Sequence, residues 1–364
     1  MLNLLSIFAV LLFILVACGD EEAADQAPEP EQEVINESSE QLEVMVTMFA
    51  QYDFARQIGG DHVHVQRLVA PGVDIHTFDP LPQDIMAINE SDLFIYTGHE
   101  MEPWVHRILD SLDTDELTVL DVSTGVQFLP WYGSHDHSHD HDHHHHDHDD
   151  EEEHDHDHHH HDHEDEEEHD HDHHHHDDED HSHGHDHDHD HDYDPHIWTS
   201  PLNAIVMVRN IQAYLTTLMP EYAQYFETNA AILIEELTEL DHDFRHMMSH
   251  AHRTTIYHGG RFALHYLMYE YGIHFVAAAM ETDPADNPVL LAQLITEIND
   301  YEIPAIFHEE LINPYTANMI AEETGAQLLL LHTIHNVSNE EIEAGETYVS
   351  LMRQNLENLR IALN

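Results

Sequence analysis

The sequence predicts an α/β fold of two lobes, each a mainly parallel sheet flanked by helices, joined by one long rigid helix. Two observations support this fold class. Short β-rich runs alternate with helical patterns in two separate blocks, as in parallel sheets with helices on their faces. Between the blocks lies Glu221–Ser249, a long stretch whose apolar residues recur at helical spacing. The lobes should therefore face each other across a cleft.

The first lobe is predicted over residues 42–219. Its strand-like runs are rich in β-branched and aromatic residues, and the segments between them have helical periodicity. The predicted strands are Leu42–Phe49, Val63–Val69, Leu93–Gly98 and Thr118–Ser123, and the predicted helices are Asp53–Ile58, Pro82–Asn89, Pro103–Leu112 and Pro201–Met219.

The connecting helix is predicted over residues 220–250 and the second lobe over 251–364. The strands predicted there are Thr254–His258, His274–Ala279, Ala305–His308 and Gln327–Leu331, and one helix, Glu340–Leu363, should close the chain. Ligands of open α/β sheets bind beyond the carboxyl ends of the strands. The residues that follow the strands of both lobes are therefore the candidates for function.

The amino terminus indicates export. Residues 1–17 are almost wholly apolar and stop at Cys18, the only cysteine, which is followed by an acidic, proline-containing tether over 18–41. Leu15–Cys18 resembles the lipobox of bacterial lipoproteins, in which the cysteine is lipidated after residues 1–17 are removed as a signal peptide. The usual basic residue near the start is missing, so an uncleaved anchor is the alternative. Both place the protein outside the cytoplasmic membrane and tethered to it.

The charge is strongly negative. The chain has 75 acidic and 9 basic residues, all of the latter arginine, for a net charge of −66. Such a surface repels phosphates and argues against binding to nucleic acid. The segment 135–194 contains 28 of the acidic residues, and the 47 elsewhere still exceed the arginines. We therefore expect stability to be greatest in salty or alkaline medium rather than in dilute neutral buffer.

A His/Asp/Glu-rich tract interrupts the first lobe at residues 135–192. It contains three blocks of four histidines, spaced 15 residues apart and separated by acidic runs: His143–His146, His158–His161 and His173–His176. A segment without apolar residues cannot form a core, so a disordered loop is expected. The tract either concentrates metal near the cleft or is a hydrated loop with incidental metal affinity.

Four histidines outside the tract follow predicted strands or adjoin the cleft: His76, His196, His258 and His335. Neutral imidazole suits Zn²⁺, and four such rings would make a closed tetrahedral site with Zn–N distances of about 2.0–2.1 Å. Spacing alone leaves their convergence open, because 16 histidines lie outside the tract. Three others, His242, His246 and His250, share one face of the long helix, where a solvated surface is the simpler interpretation.

Several motifs resemble the metal-binding lipoproteins of zinc/manganese ATP-binding-cassette importers. They are PGVDIHTFDP (71–80), GHEMEPW (98–104), DPHIWTSP (194–201), HGGRFALHYLMYEYGI (258–273), FHEE (307–310) with Glu322–Gly325, and the ending Gly345–Leu363. The resemblance implies that His76, His196 and His258 are metal ligands. The family's fourth ligand is commonly a carboxylate; His335 occupies that place here, with His332 as the alternative.

The resemblance also implies the function: capture of zinc outside the membrane and its delivery to a permease driven by an ATPase. Nitrogen donors favour Zn²⁺ over Mn²⁺, although copper or nickel would also bind. A manganese carrier of the same family and a surface metal buffer that uses the tract are the alternatives. An enzyme is not expected, because four histidine ligands leave no open coordination position for a zinc hydrolase. Affinity should fall below a pH of about 6.5 as imidazoles are protonated.

Overall fold

The computed structural model describes residues 41–73, 75–112, 115–131, 193–278 and 288–364. The predicted signal peptide 1–17, the lipidated Cys18, the tether up to residue 40 and the His-rich tract 135–192 lie outside these residues. Within the described part of the chain, no helix is both long and apolar enough to span a bilayer.

The first sheet has four parallel strands in the order β2-β1-β3-β4: β1 (Leu42–Val46), β2 (Val63–Arg67), β3 (Leu93–Tyr96) and β4 (Thr118–Asp121). Its helices are α1 (Phe49–Gly59), α2 (Pro82–Asn89) and α3 (Pro103–Leu109). All four residues of β3 are buried, as expected for a central parallel strand covered by helices on both faces.

Two helices link the sheets. Helix α4 (Pro201–Leu218) begins with Pro201 directly after Ser200, whose hydroxyl accepts from the Asn203 backbone N–H. Helix α5 (Ala223–His250) has 28 residues. Its buried side chains alternate three and four residues apart and form one continuous stripe: Phe226, Ala230, Leu233, Leu237, Leu240, Phe244 and Met247. The predicted long helix is thus present, packed along α4 and α1.

The second sheet repeats the first. Its parallel order is β6-β5-β7-β8, formed by β5 (Thr255–His258), β6 (His274–Ala277), β7 (Ala305–His308) and β8 (Gln327–Leu330). The helices are α6 (His265–Tyr271), α7 (Pro288–Asp300), α8 (Tyr315–Thr324), α9 (Asn339–Ala344) and α10 (Tyr348–Leu363). The predicted fold class is therefore confirmed. The single closing helix that we predicted is two helices, separated at Gly345, which has a φ of 76°.

One hydrophobic core runs through both lobes. It joins β1 and α1 to α4, α5, β5 and α10, and its largest members, Trp198 and Tyr348, are fully buried. Polar bonds cross between the lobes as well: the Tyr348 backbone N–H donates to Asp53 at 2.8 Å, and the Trp198 indole N–H donates to the Thr333 carbonyl at 2.9 Å. Segments of the two lobes that adjoin the cleft are thus held against each other.

Candidate metal centre

His76 lies in a short turn between β2 and α2. The turn, Ile75–Thr77, is anchored by the buried side chain of Ile75, while the ring of His76 is exposed. Just before it, the Gly72 backbone N–H donates to the carbonyl of Val337 at 3.2 Å. This bond ties the loop that carries His76 to a segment of the second lobe.

His196 is buried just ahead of α4, and Asp194 fixes its ring. The ring Nδ1 is 2.9 Å from Asp194 Oδ1, and the His196 backbone N–H donates to the same oxygen at 2.8 Å. Burial opposes ionisation of Asp194, but the neighbouring imidazole and the hydrogen bonds hold the pKa of this carboxyl below its ordinary value. The proton of the His196 ring therefore lies on Nδ1. Its buried Nε2 has no hydrogen-bond partner among the described residues, so its lone pair is available to a metal.

His335 follows β8, and its ring is fixed by a chain of two residues. The Thr333 hydroxyl donates to Glu310 and accepts from His335 Nδ1, while the Thr333 backbone N–H donates to the second Glu310 oxygen at 2.8 Å. Burial, and then the nearby rings of His196 and His76, hold the pKa of His335 well below its ordinary value. The ring is therefore neutral at pH 7, with its lone pair on Nε2.

The backbone at this position is strained. Ile334, a buried β-branched residue, has a φ of 60°, a conformation that costs on the order of 1–3 kcal/mol. The turn at Ile334 places the Thr333 hydroxyl beside Nδ1 of His335. The Ile334 backbone N–H donates to Nδ1 of His332 at 2.9 Å. Such strain is typical of positions where function dictates the backbone.

Three of the predicted ligands meet. Among the described residues, one ligand atom from each of His76, His196 and His335 lies within 4.8 Å of the others. The Nε2 atoms of His76 and His335, which come from different lobes, are 3.1 Å apart. The ligating nitrogens of tetrahedral zinc are separated by about 3.3 Å, given Zn–N bonds of about 2.0–2.1 Å. A small contraction of the cluster would therefore accommodate an ion.

His258 is not part of this cluster. It ends β5 with 1% of its surface exposed, and burial lowers its pKa to about 4. Its Nδ1 accepts from the Gly260 backbone N–H at 3.2 Å, which leaves the ring proton on Nε2, an atom without a hydrogen-bond partner in the described part of the chain. To bind a metal through Nε2, this ring would have to give up the bond to Gly260 and move its proton.

His332 also lies outside the cluster. Both ring nitrogens are engaged: Nδ1 accepts from Ile334, and Nε2 is 3.2 Å from a carboxylate oxygen of Glu341. Its backbone N–H donates to Asn355 at 2.7 Å. His332 therefore positions the strained turn, and of the two candidates for the fourth position only His335 faces the other rings.

The residues that orient the rings were missing from the sequence-based site. Asp194 stands two residues before His196, so its place in the DPH motif was a usable signal. Glu310 and Thr333 are 23 residues apart, and nothing in the sequence indicates that they bond. Glu310 nevertheless follows β7, at the sheet edge where cleft residues were expected.

The chain is similar to known zinc-uptake and zinc-binding proteins. Residues 44–362 match the family described as zinc-uptake complex component A, periplasmic (ZnuA). The chain is 28% identical over 360 residues to the high-affinity zinc uptake system protein ZnuA of Bacillus subtilis, covering 99% of this chain and 97% of that protein. It is 27% identical over 347 residues to the zinc-binding lipoprotein AdcA of Streptococcus pneumoniae, covering 95% of this chain but 58% of AdcA.

Solved structures show the same fold. The Zn(II)-bound ZnuA-like domain of S. pneumoniae AdcA has a TM-score of 0.66 at 25% identity, covering 89% of this chain and 99% of that domain. The metal-dependent lipoprotein YcdH of B. subtilis has a TM-score of 0.66 at 26% identity, with the same coverage of 89% and 99%. Since the family match extends through both lobes, the chain belongs to the family of zinc-uptake complex component A.

Proposed function

We propose that this chain is the extracytoplasmic zinc-binding component of an ATP-binding-cassette importer, held at the membrane through a lipid on Cys18. It binds one Zn²⁺ between the lobes through His76, His196 and His335 and passes it to a membrane permease powered by an ATPase. The observation that carries the proposal is the convergence of three imidazoles from both lobes, at least two of them oriented by bonds that leave Nε2 unprotonated. The relatives' names, zinc uptake and zinc-binding lipoprotein, support it.

The donor set favours zinc over manganese. All three converging ligands are nitrogen atoms, whereas Mn²⁺ is better matched by carboxylate and carbonyl oxygens. The carboxylates beside the cluster, Asp194 and Glu310, are occupied in orienting the ligand rings or their partners. A manganese carrier is therefore the weaker alternative.

The fourth coordination position remains a prediction. His258, predicted as one of the four ligands, would complete the set beside the three converging rings only after giving up its bond to Gly260. Without it, three imidazoles leave a position for water, as in catalytic zinc sites. A hydrolase would also need a general base beside that water, and the nearby carboxylates already have partners. We therefore propose a binding protein rather than an enzyme.

The test is to count the metal ions bound per chain and to measure zinc affinity in protein that lacks residues 135–192. We expect one tightly bound zinc ion per chain. Replacing His76, His196 or His335 singly with Ala should weaken zinc binding more than about 100-fold, because loss of an orienting partner alone weakens it about 10–100-fold. His64→Ala, an exposed ring paired with Glu43, is the matched control. His258→Ala and His332→Ala decide whether either ring is a fourth ligand.

The same measurement separates the alternatives. If the tract-deleted protein has no tight site, the chain is a metal buffer that works through its His-rich tract. If manganese binds more tightly than zinc, the carrier takes manganese. If the three alanine variants keep the affinity of the unchanged protein, the proposed centre is wrong.

A further inference from the structure

The exposed face of α5 carries three histidines, His242, His246 and His250, spaced four residues apart. Side chains four residues apart on a helix are neighbours, with Cβ atoms about 5–6 Å from each other. From the sequence we expected only a solvated surface here. The structure distinguishes the two neighbouring pairs: the ring centroids of His242 and His246 are 6.4 Å apart, but those of His246 and His250 are 4.5 Å apart.

The closer pair has the spacing of the candidate metal centre. In that centre the three ring separations are 4.8, 4.9 and 5.4 Å. His246 and His250 are therefore at least as close as rings whose ligand atoms already converge. Two histidines one helical turn apart are also the arrangement that presents a pair of nitrogens to zinc in helical metal sites.

One of the two rings is oriented by the helix itself. His250 Nδ1 is 2.9 Å from the backbone carbonyl oxygen of His246 and 2.9 Å from the Ser249 hydroxyl. A carbonyl oxygen only accepts hydrogen bonds, so the proton of the His250 ring lies on Nδ1 and the lone pair on Nε2. A metal-binding histidine typically donates a hydrogen bond in this way from its second ring N–H to a carbonyl or carboxylate.

The helix backbone beneath the pair is anchored by buried side chains. Phe244 and Met247 anchor this end of α5 in the core, and after the helix ends at His250 the chain leads through Ala251 to the amino end of β5. The candidate metal centre lies beyond the carboxyl ends of the strands, so the two sites occupy different edges of the sheets. The acidic surface of the chain, with a net charge of −66, draws cations to both.

We infer that His246 and His250 bind a divalent transition-metal ion through their Nε2 atoms, as a second site separate from the one between the lobes. Water completes the coordination, because the pair supplies two ligands. With fewer protein ligands, this site is weaker than the three-histidine centre. Copper(II), nickel(II) and zinc(II) are the ions whose preference for imidazole fits it.

Histidine-specific acylation with diethyl pyrocarbonate, mapped by mass spectrometry on the full chain, tests this site without interference from the His-rich tract. Zinc sulfate is the probe. Acylation of His246 and His250 should slow about tenfold at free zinc about ten times the dissociation constant, since about one site in eleven is then free. The exposed His64 should keep its rate.

Variants make the test specific. His250→Ala should abolish the zinc protection of His246, whereas His242→Ala and His76→Ala should leave it unchanged. The His76 variant also separates this site from the proposed transport site. Unprotected rings at zinc concentrations that saturate the tract would overturn the inference, as would protection of His246 that persists in the His250 variant.

Discussion

In the candidate metal centre, ligand geometry depends on the second nitrogen of each ring. Asp194 accepts from Nδ1 of His196, and the Thr333 hydroxyl accepts from Nδ1 of His335. Both bonds place the lone pair on Nε2 and prevent the ring from turning. The affinity of the site should therefore depend on residues that never touch the metal.

Thr333→Val tests this dependence. Valine has the shape of threonine but accepts no hydrogen bond, so His335 loses its orienting partner and Glu310 loses one donor. We expect zinc affinity to fall about 10–100-fold, measured by chelator competition in protein lacking residues 135–192. Thr217→Val, which removes a hydroxyl bonded only to its own helix, is the control. An unchanged affinity in the Thr333 variant would show that the hydroxyl does not orient the ring.

A second buried network stabilises the first lobe. Glu102 is fully buried, and burial raises its pKa to about 8 despite hydrogen bonds from Thr47 and Thr97. At pH 7 the carboxyl is therefore neutral. The Thr47 hydroxyl lies between this carboxyl and Gln51, within donating distance of Oε1 of both residues, and the Thr97 backbone N–H donates to Glu102 as well. Each group in this chain then has a partner.

Glu102→Gln should remove a pH dependence of stability. The folded pKa lies above the unfolded value of 4.5, so the neutral acid stabilises the fold at low pH and this contribution is lost as pH rises from 4.5 to about 8. Relative to the Gln variant, the unchanged protein should lose about 1 kcal/mol per pH unit across that range. Urea unfolding from pH 5 to 9 measures the difference, with the exposed Glu90→Gln as control. Parallel pH profiles would contradict the prediction.

At the scale of elements, hydrophobic periodicity located the strands and most helices. Helix α2 has the predicted bounds, because Pro82 starts it and the apolar stripe ends with it. Within α5 the apolar spacing does not define the buried face in detail: Ile232 is 54% exposed, and of the adjacent Met247 and Met248 it is Met247 that is buried. Which side of a broad apolar stripe faces the core depends on the neighbouring helices, here α1, α4 and α10.

The break between α9 and α10 was missed because both segments have helical periodicity. Gly345 ends α9 in the left-handed conformation, and Thr347 begins α10 with a capping box to Ser350. A glycine followed by a capping residue is a stop and start signal. The stop at Gly345 also fixes where the closing helix starts, and Tyr348, its first residue, bonds across the lobes to Asp53.

Gly345→Ala should destabilise the protein by about 1–2 kcal/mol. A Cβ at this position meets nothing within 4 Å, so the penalty comes only from holding alanine at a φ of 76°. Denaturant unfolding measures it, with the exposed Glu343→Ala in α9 as control. A variant as stable as the unchanged protein would mean that the chain relaxes out of the left-handed turn at no cost.

The candidate site could be predicted only in part. The sequence motifs identified the candidate histidines. Parallel sheets gave a reason to expect them close together, since the carboxyl ends of the strands meet at one edge. The place of His258 outside the three-ring cluster could not be predicted, since it depends on the direction of one side chain at the end of β5. The strained φ of Ile334 and the bond between Thr333 and Glu310 are likewise products of tertiary packing.

At the scale of the molecule, the two lobes behave as one unit. They share one hydrophobic core, and polar bonds tie together the loops around the candidate centre. The Asn336 side chain, one residue beyond His335, donates to the carbonyls of Ala70 and Val73 at 2.6 and 3.1 Å. Arg67 in turn donates to Asn336 at 3.2 Å. The loop before His76 is thus already fixed to the segment that carries His335.

This construction predicts that zinc binding moves the lobes little. The ligands of both lobes are already within 4.8 Å of one another, so capture needs a local contraction, with backbone shifts of about 1 Å or less. Solution scattering with and without zinc should give superimposable profiles for protein lacking residues 135–192, whose removal prevents compaction of the tract itself from mimicking closure. Asn336→Ala, which removes the bonds to Ala70 and Val73, should make the profiles diverge. A large contraction of the unchanged lobes on zinc binding would show instead that they are hinged and that release depends on their reopening.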